Sequence, residues 1–318
     1  MIGSLCLVVN PAAANGRARR RLPGILSALT AAGVTATRVC ESTSLADAAA
    51  AAAAAAARGE TVVAVGGDGL VGTLAGAVSS AGGVLGIIPA GRGNDFARML
   101  GLPRRPAEAA QALVTGKPAP ADLIGVRAAD GPEAVVAGSV YLGIVSEGGE
   151  IVSRARWVRG PLGYQLAGVR AVAAWQPARF TVTADAPGGE PQPGSDAVRE
   201  FGGYCVVVAN SGYLAAGVLA APTADLADGL LDLLTVSDGS RASFLRIMRR
   251  AVKGTHLGMS QVSLRRATTV TVTAGRPMPA AADGETLPFA APLPPGVPLT
   301  IRALPAAVQV VRPAEPAC

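Results

Sequence analysis

The sequence predicts an α/β domain built on a parallel sheet, followed by a largely antiparallel β domain. Two observations carry this reading. From the N-terminus to about residue 122, apolar runs of five or six residues alternate with helix-favouring stretches, the pattern of a parallel sheet covered on both faces. Beyond that point the apolar runs are short, rich in Val and Thr, and punctuated by Gly and Pro, as antiparallel strands are.

The first half opens with LCLVVN at 5–10, a helix over 17–32 and an Ala-rich helix over 45–58. TVVAVGG at 61–67, a helix over 70–79 and VLGIIPA at 84–90 complete its pattern. In the second half, strands are expected in AVVAGSVYLGIVS, ARFTVTAD, FGGYCVVVAN, LLDLLTVSD, ATTVTVTA and VPLTIRAL, with helical inserts over 162–174 and 243–253. The stretch APGGEPQPGSDA at 186–197 reads as a mobile Pro/Gly loop. These assignments divide the chain into a nucleotide-binding domain, 1–124, and an acceptor-binding domain, 125–318, whose last segment is expected to return to the first domain.

Composition narrows the class. With 318 residues, half of them hydrophobic and 16% charged, the chain can bury a sizeable core. A formal net charge of +6 suits an anionic partner, whether nucleotide, acidic membrane surface or nucleic acid. Aromatic residues make up only 3%, too few for the stacking platforms that single-stranded nucleic acid uses, so no nucleic-acid partner is expected. Cys6, Cys40, Cys205 and Cys318 show no CxxC pairing and are read as reduced thiols. The N-terminus runs directly into a strand without signal-peptide features, and the Ala run at 48–57 is too short and too weakly hydrophobic to span a bilayer. A cytoplasmic location is expected.

Two glycine-rich turns carry the chemistry. At 61–78, TVVAVGGDGLVGTLAGAV, an apolar strand meets Gly66, Gly67, Asp68 and Gly69 before a helix. Glycines there admit phosphate oxygens to backbone N–H groups, and the helix N-terminus adds partial positive charge. Asp68 would repel such a ligand unless a metal or a transferable proton accounts for it; its plain alternative is a helix cap. At 85–103, LGIIPAGRGNDFARMLGLP repeats the logic with Gly91, Arg92, Gly93 and Asn94. Asn94 can hydrogen-bond a nucleotide, and Arg92 and Arg98 can neutralise phosphate. A third turn, NPAAANGRARRR, ends the first strand at Asn10 and Pro11 and opens a helix with four arginines, at least two of which read as solvated surface.

Strand-NP, GGDG and GxGNDFAR, in this order and spacing, resemble the catalytic domain of diacylglycerol and sphingosine kinases. The run YCVVVANSGYLAAGVLAAPTADLADGLLDLLTV at 204–236 and ADGE at 282–285 extend the resemblance over nearly the whole chain. It implies an N-terminal domain like those of NAD kinases and phosphofructokinases, a C-terminal β-sandwich, and an active site in the cleft between them that binds ATP and Mg²⁺. The γ-phosphate would pass to an alcohol of a lipid such as diacylglycerol or a sphingoid base. Carried over by residue, Asn10, Gly66, Gly67, Asp68, Gly69, Gly91, Arg92, Asn94 and Asp283 would bind the nucleotide. Asp68 would stand at the reacting end, Asp122 close to the acceptor or its metal water, and Glu285 in the position of the proposed base. Asp225, Asp228 and the carbonyl of Leu230 match a structural Mg²⁺ site. The pattern departs at Leu70, Gly72 and Thr73, where Thr, Asn and Glu are usual, and at Arg92, where a Thr is usual.

Other residues read plainly. His256, the single histidine, has no acid or nucleophile nearby in sequence and is read as structural. Trp157 with Arg154, Arg156 and Arg159 is either an interfacial anchor or packing at the domain junction. Arg246, Arg249, Arg250 and Lys253 are a solvated helix face or a site for anionic lipid. The expected partners are a lipid-like alcohol and, reversibly, an anionic membrane surface, with a homodimer left open. Two rival readings stand beside this one: the same fold acting on a soluble alcohol (nucleoside, sugar or secondary metabolite), and a catalytically silent nucleotide-binding regulator.

Overall fold

Four strands, β1 (Leu5–Val9), β2 (Thr37–Glu41), β3 (Thr61–Gly66) and β4 (Val84–Pro89), lie parallel in the order β2-β1-β3-β4 in the computed structural model. The structure describes residues 3–11, 13–154, 172–185, 198–215, 217–290 and 292–314. Strand pleating splits each apolar run between two cores. Leu5, Leu7, Val9, Val63 and Val65 pack beneath α1 (Ala13–Ala31) and α5 (Pro106–Thr115). Cys6, Val8, Val62 and Ala64 pack beneath α2 (Leu45–Ala57) and α3 (Asp68–Ser80). The small buried face of α2, with Ala48, Ala52 and Ala55, lets it lie close to the sheet, and Ser44 caps it by accepting the Asp47 N–H. Because β2 and β3 flank β1 on opposite sides, the strand order reverses at β1 and β3, and the crevice beyond their carboxyl ends is the expected ligand position.

The sheet continues into the second half. After α4 (Asp95–Met99) the long strand β5 (Lys117–Ala128) runs antiparallel to β17 (Leu299–Arg312). β17 also pairs in parallel with β4 through Gln309 and Val310, so the last strand is built into the first sheet. Between them come β6 (Ala134–Val136), β7 (Ser139–Gly143), α6 (Ile144–Arg154), β8 (Ala178–Ala184), β9 (Val198–Ala209), β10 (Tyr213–Leu214), β11 (Val218–Leu219) and β12 (Leu231–Ser237). The helix α7 (Arg241–Ala251), β13 (Val262–Ala267), β14 (Thr269–Ala274), β15 (Ala280–Ala282) and β16 (Glu285–Thr286) follow. The pairings of β7, β8, β9, β12, β13, β14, β15 and β16 with one another are antiparallel, around a core that includes Phe180, Val206, Val208 and Ile301.

Several elements differ from expectation. α3 begins at Asp68 and α1 at Ala13, so both glycine-associated helices start earlier than their apolar periodicity suggests. β2 and α5 were not anticipated; β2 is an edge strand whose TRVCE sequence is largely exposed and lacks an apolar run. The run 134–146 is not strand to its end, because Gly143 takes φ +96° and turns the chain into α6. A Cβ there would lie 2.3 Å from the Tyr204 carbonyl oxygen, so the turn requires glycine. Residues 172–174 of the expected insert are helical; 162–171, Trp157 and the 186–197 loop lie outside the described residues.

Candidate active site

The two glycine turns meet backbone to backbone beyond β3 and β4. The Gly66 carbonyl accepts N–H bonds from Ala90 (2.8 Å) and Gly91 (3.1 Å). A Cβ on Gly91 would lie 2.4 Å from Gly67 Cα, so no larger residue fits at that crossing. Asn94 closes the second loop: at φ +55°, its Oδ1 accepts the Gly91 N–H (2.9 Å) and its Nδ2 donates to the Gly91 carbonyl (3.2 Å). Its side chain thus shapes the loop, and Arg92 is left exposed at the cleft lip. Gly67 is the N-cap of α3 and supplies no side-chain cap, so the helix presents its first N–H groups without a side-chain acceptor. Asn10 follows β1, whose Val9 is in register with Val65, next to the same turn.

Asp68 caps the start of α4 rather than that of its own helix α3. Its Oδ1 accepts the N–H of Phe96 at 3.0 Å, tying the first loop to the start of α4. Burial raises its pKa above the ordinary aspartate value, opposed by the backbone N–H groups of Phe96, Asn94 and Asp95. Facing it is Asp283, in the two-residue turn that joins β15 to β16. Asp283 (φ +49°) and Gly284 (φ +93°) both take the left-handed conformation such a hairpin turn needs. The Asp283 carboxylate accepts N–H bonds from Ala137, Gly138 and Ser139 at 2.9–3.1 Å, a nest formed by the β6–β7 turn. Burial pushes its pKa up to about 6, the three N–H groups pull against this, and the negative charge of Asp68 adds to the rise. The Tyr141 hydroxyl accepts the Gly284 N–H at 3.0 Å and steadies the turn.

Glu285, one residue beyond that turn, lies over the start of α3: its Cγ is 3.2 Å from where a Cβ on Gly69 would sit. A cleft of about 160 Å³ is lined by Asp68, Arg92 and Asp283 together with Phe96, Tyr213 and Leu214, and neither Glu285 nor Asn94 is part of that lining. Asp122 is outside that lining. It is 2% exposed, and both carboxylate oxygens accept backbone N–H bonds at 2.7 Å, from Gly229 and Ala306. Its own carbonyl accepts from Asn210 Nδ2, also 2.7 Å. In this arrangement Asp122 pins β5 to the 228–229 turn and to the irregularity in β17. Asp122, expected close to the acceptor or its metal water, thus stands away from the cleft lining and next to the turn that carries Asp228.

Asp225 and Asp228 each fold one oxygen back onto their own turn, accepting the N–H of Ala227 and of Leu230 at 3.0 Å. Asp228 Oδ2 lies 3.6 Å from an Arg266 nitrogen. Two carboxylates and the Leu230 carbonyl form an oxygen-only donor set, which suits Mg²⁺ in kind. Among the described residues no group of three His, Cys, Asp or Glu side chains converges on one point, so any ion there would need carbonyl and water ligands too. His256 is buried, with Nε2 3.0 Å from the Ala220 carbonyl, and burial lowers its pKa, as a structural histidine requires.

Sequence reasoning missed the turn 137–139 that holds Asp283, and missed Tyr141, Ser211 and Tyr213 at the cleft. The one local signal was a glycine between two apolar runs at Gly138, where a Cβ would come 2.6 Å from Asp283 Oδ1.

Comparison with known proteins bears on the family and the fold. The diacylglycerol kinase catalytic domain family model matches residues 4–126, and the YegS C-terminal NAD kinase beta sandwich-like domain model matches residues 138–312. A diacylglycerol kinase of Mycobacterium tuberculosis (strain ATCC 25618 / H37Rv) is 33% identical over 314 residues, 98% of this chain and 96% of that protein. One from Bacillus subtilis (strain 168) is 26% identical over 289 residues, 88% of each chain. A solved Bacillus anthracis str. Sterne chain superposes with a TM-score of 0.76 at 24% identity, covering 97% of this chain and 95% of that one, which bears on the fold. With both family models, the full-length relatives and the paired-loop cleft in agreement, the chain belongs to the bacterial-type diacylglycerol kinase family of lipid kinases.

Proposed function

We propose that the protein transfers the γ-phosphate of ATP to an alcohol of a lipid such as diacylglycerol or a sphingoid base. The observation that carries this is the meeting, in one cleft, of two glycine turns from the first half with the Asp283 hairpin of the second, beside apolar side chains. The glycine turns and the bare N-terminus of α3 would receive the phosphates, and Arg92 at the lip would offset their charge. Asp68, whose burial raises its proton affinity, is suited to take the acceptor's proton; Glu285 is the alternative from the facing hairpin. Positioning of acceptor and phosphate would supply most of the rate. Asp225, Asp228 and the Leu230 carbonyl would hold a structural Mg²⁺, and Mg²⁺ on the nucleotide would spread the charge of the transferring phosphoryl group.

Among the described residues no helix is long and apolar enough to cross a membrane. Access to a lipid acceptor would therefore be peripheral and reversible, through an anionic membrane surface, from the cytoplasm. The test is ATP turnover against diacylglycerol and sphingosine in mixed micelles and against a nucleoside and a sugar. Turnover confined to the lipids is expected. Turnover with the soluble alcohols alone, or with none, would overturn the assignment.

A further inference from the structure

We infer that the outward face of α7 is a docking surface for an anionic lipid bilayer, a step that rests on the lipid-acceptor reading. The inward face of α7 is Phe244 and Ile247, both in the core of the antiparallel second half, with Ala251 also buried. The Phe244 ring stacks on Tyr204 at 4.3 Å, the Tyr204 hydroxyl donates to the Gly239 carbonyl at 2.8 Å, and Ser240 caps the helix by accepting the Ser243 N–H. The helix is thus fixed in place, and what it shows to solvent is set by sequence.

That solvent face is basic and apolar together. Arg241, Leu245, Arg249 and Val252, spaced four, four and three residues apart, form one stripe, with Arg246, Arg250 and Lys253 beside it, all exposed. Five large apolar side chains are exposed among the described residues, and two of them stand on this stripe: Leu245 (42%) and Val252 (59%). Arg246, Arg249, Arg250 and Lys253 pair with no described acid. Phosphate binding alone does not call for exposed Leu and Val. Basic side chains around short apolar ones are the composition of an interfacial helix, in which the cations meet lipid headgroups and the apolar residues enter the acyl boundary.

The position of α7 links this face to the cleft. Just after the helix, Gly254 (φ +69°) packs so tightly that a Cβ would lie 2.8 Å from Leu219 of β11, and His256 Nε2 donates to the Ala220 carbonyl at 3.0 Å. β11 pairs with β10, whose Tyr213 and Leu214 line the cleft. A bilayer resting on α7 would therefore bear on the element that forms the apolar wall of the acceptor site.

The test is sedimentation with phosphatidylcholine vesicles, with and without phosphatidylserine, run beside turnover of a short-chain diacylglycerol in detergent micelles. Wild type is expected to bind the phosphatidylserine vesicles and to be released by salt. Arg246→Gln, Arg249→Gln, Arg250→Gln and Lys253→Gln together should weaken partitioning by a hundredfold or more, about fivefold per charge, with the melting temperature and micellar turnover kept. Leu245→Ser with Val252→Ser should weaken binding to the phosphatidylserine vesicles at low salt, and unchanged binding there would overturn the apolar part of the inference. Unchanged vesicle binding in the four-Gln variant, or none in wild type, overturns the inference. So does retardation of a DNA duplex without vesicle binding. Micellar turnover without vesicle binding sinks the docking face alone; vesicle binding without turnover of any lipid sinks the kinase reading alone.

Discussion

Asp283→Asn isolates the charge of the best-held carboxylate in the cleft. Asn tolerates the left-handed backbone at this position (φ +49°), so the hairpin turn is retained. One oxygen of the pair becomes an NH₂ facing the N–H donors of the 137–139 nest, an offset of about 1–3 kcal/mol that does not vary with pH. The charge effect does vary. Burial raises the pKa from 3.8 to about 6, so the folded protein holds this proton more tightly than the unfolded chain does. The contribution to stability is complete below pH 3.8 and is lost as pH rises through about 6, by about 3 kcal/mol at 1.36 kcal/mol per unit. Urea unfolding at pH steps from 4 to 8 should therefore show the wild-type advantage over Asp283→Asn shrinking by about that amount before levelling off. Parallel profiles, with a gap constant to about 0.5 kcal/mol, would show that Asp283 is not the buried, charge-strained group described here.

Asp68→Asn keeps an acceptor for the Phe96 N–H and should fold normally while lowering phosphoryl transfer about 10²- to 10⁴-fold in initial-rate assays at saturating ATP; near-wild-type rates would remove it from the chemistry. Glu285→Gln, measured alongside, should match that loss only if the proton passes to Glu285. Gly72→Ala sets a Cβ 2.8 Å from Asp283 Oδ2 and should cost about 1–3 kcal/mol in unfolding experiments, whereas an unaffected melting curve would mean the hairpin can back away freely. Asp225→Ala with Asp228→Ala should abolish any Mg²⁺-dependent rise in melting temperature; a rise that survives places the ion elsewhere.

What the sequence shows best is what is buried on both sides. β1, β3 and β4 are almost wholly buried and read as unbroken apolar runs, and the glycine turns after β3 and β4 are visible because backbone crossings at Gly67 and Gly91 admit no side chain. β2 is exposed along most of its length and has no apolar run, whereas α6 begins directly on a strand-like run and carries two glycines, so its first apolar pair reads as more strand. The site is legible only as separate pieces. Asp283 finds its N–H donors about 145 positions away, and Asp122 binds Gly229 and Ala306 at separations of 107 and 184, so no local window distinguishes a cleft acid from a structural one. Asp122 and Asp283 look alike in sequence; their different roles follow from which turn each one meets.

The glycines of α3 acquire a reason from the packing. Gly69, Gly72 and Gly76 fall on one face of that helix, and added Cβ atoms there would meet Glu285 at 3.2 Å, Asp283 at 2.8 Å and Val135 at 3.2 Å. Three glycines in a helix of 13 residues cost about 1 kcal/mol each relative to Ala, so the bare face is retained against helix propensity. What it admits is the second half of the molecule: β6 through Val135, and both acids of the hairpin. At Gly72 the Asp283 carboxylate stands 2.8 Å from where a Cβ would sit, so the helix face there is closed to a side chain. Asp283 is then held by the 137–139 nest and by contact with α3 at once, which sets it against Asp68 only when the two halves are packed together. Integrity of the cleft and the docking of the halves are in this way one structural event, and a substitution that restores bulk at Gly72 would disturb both.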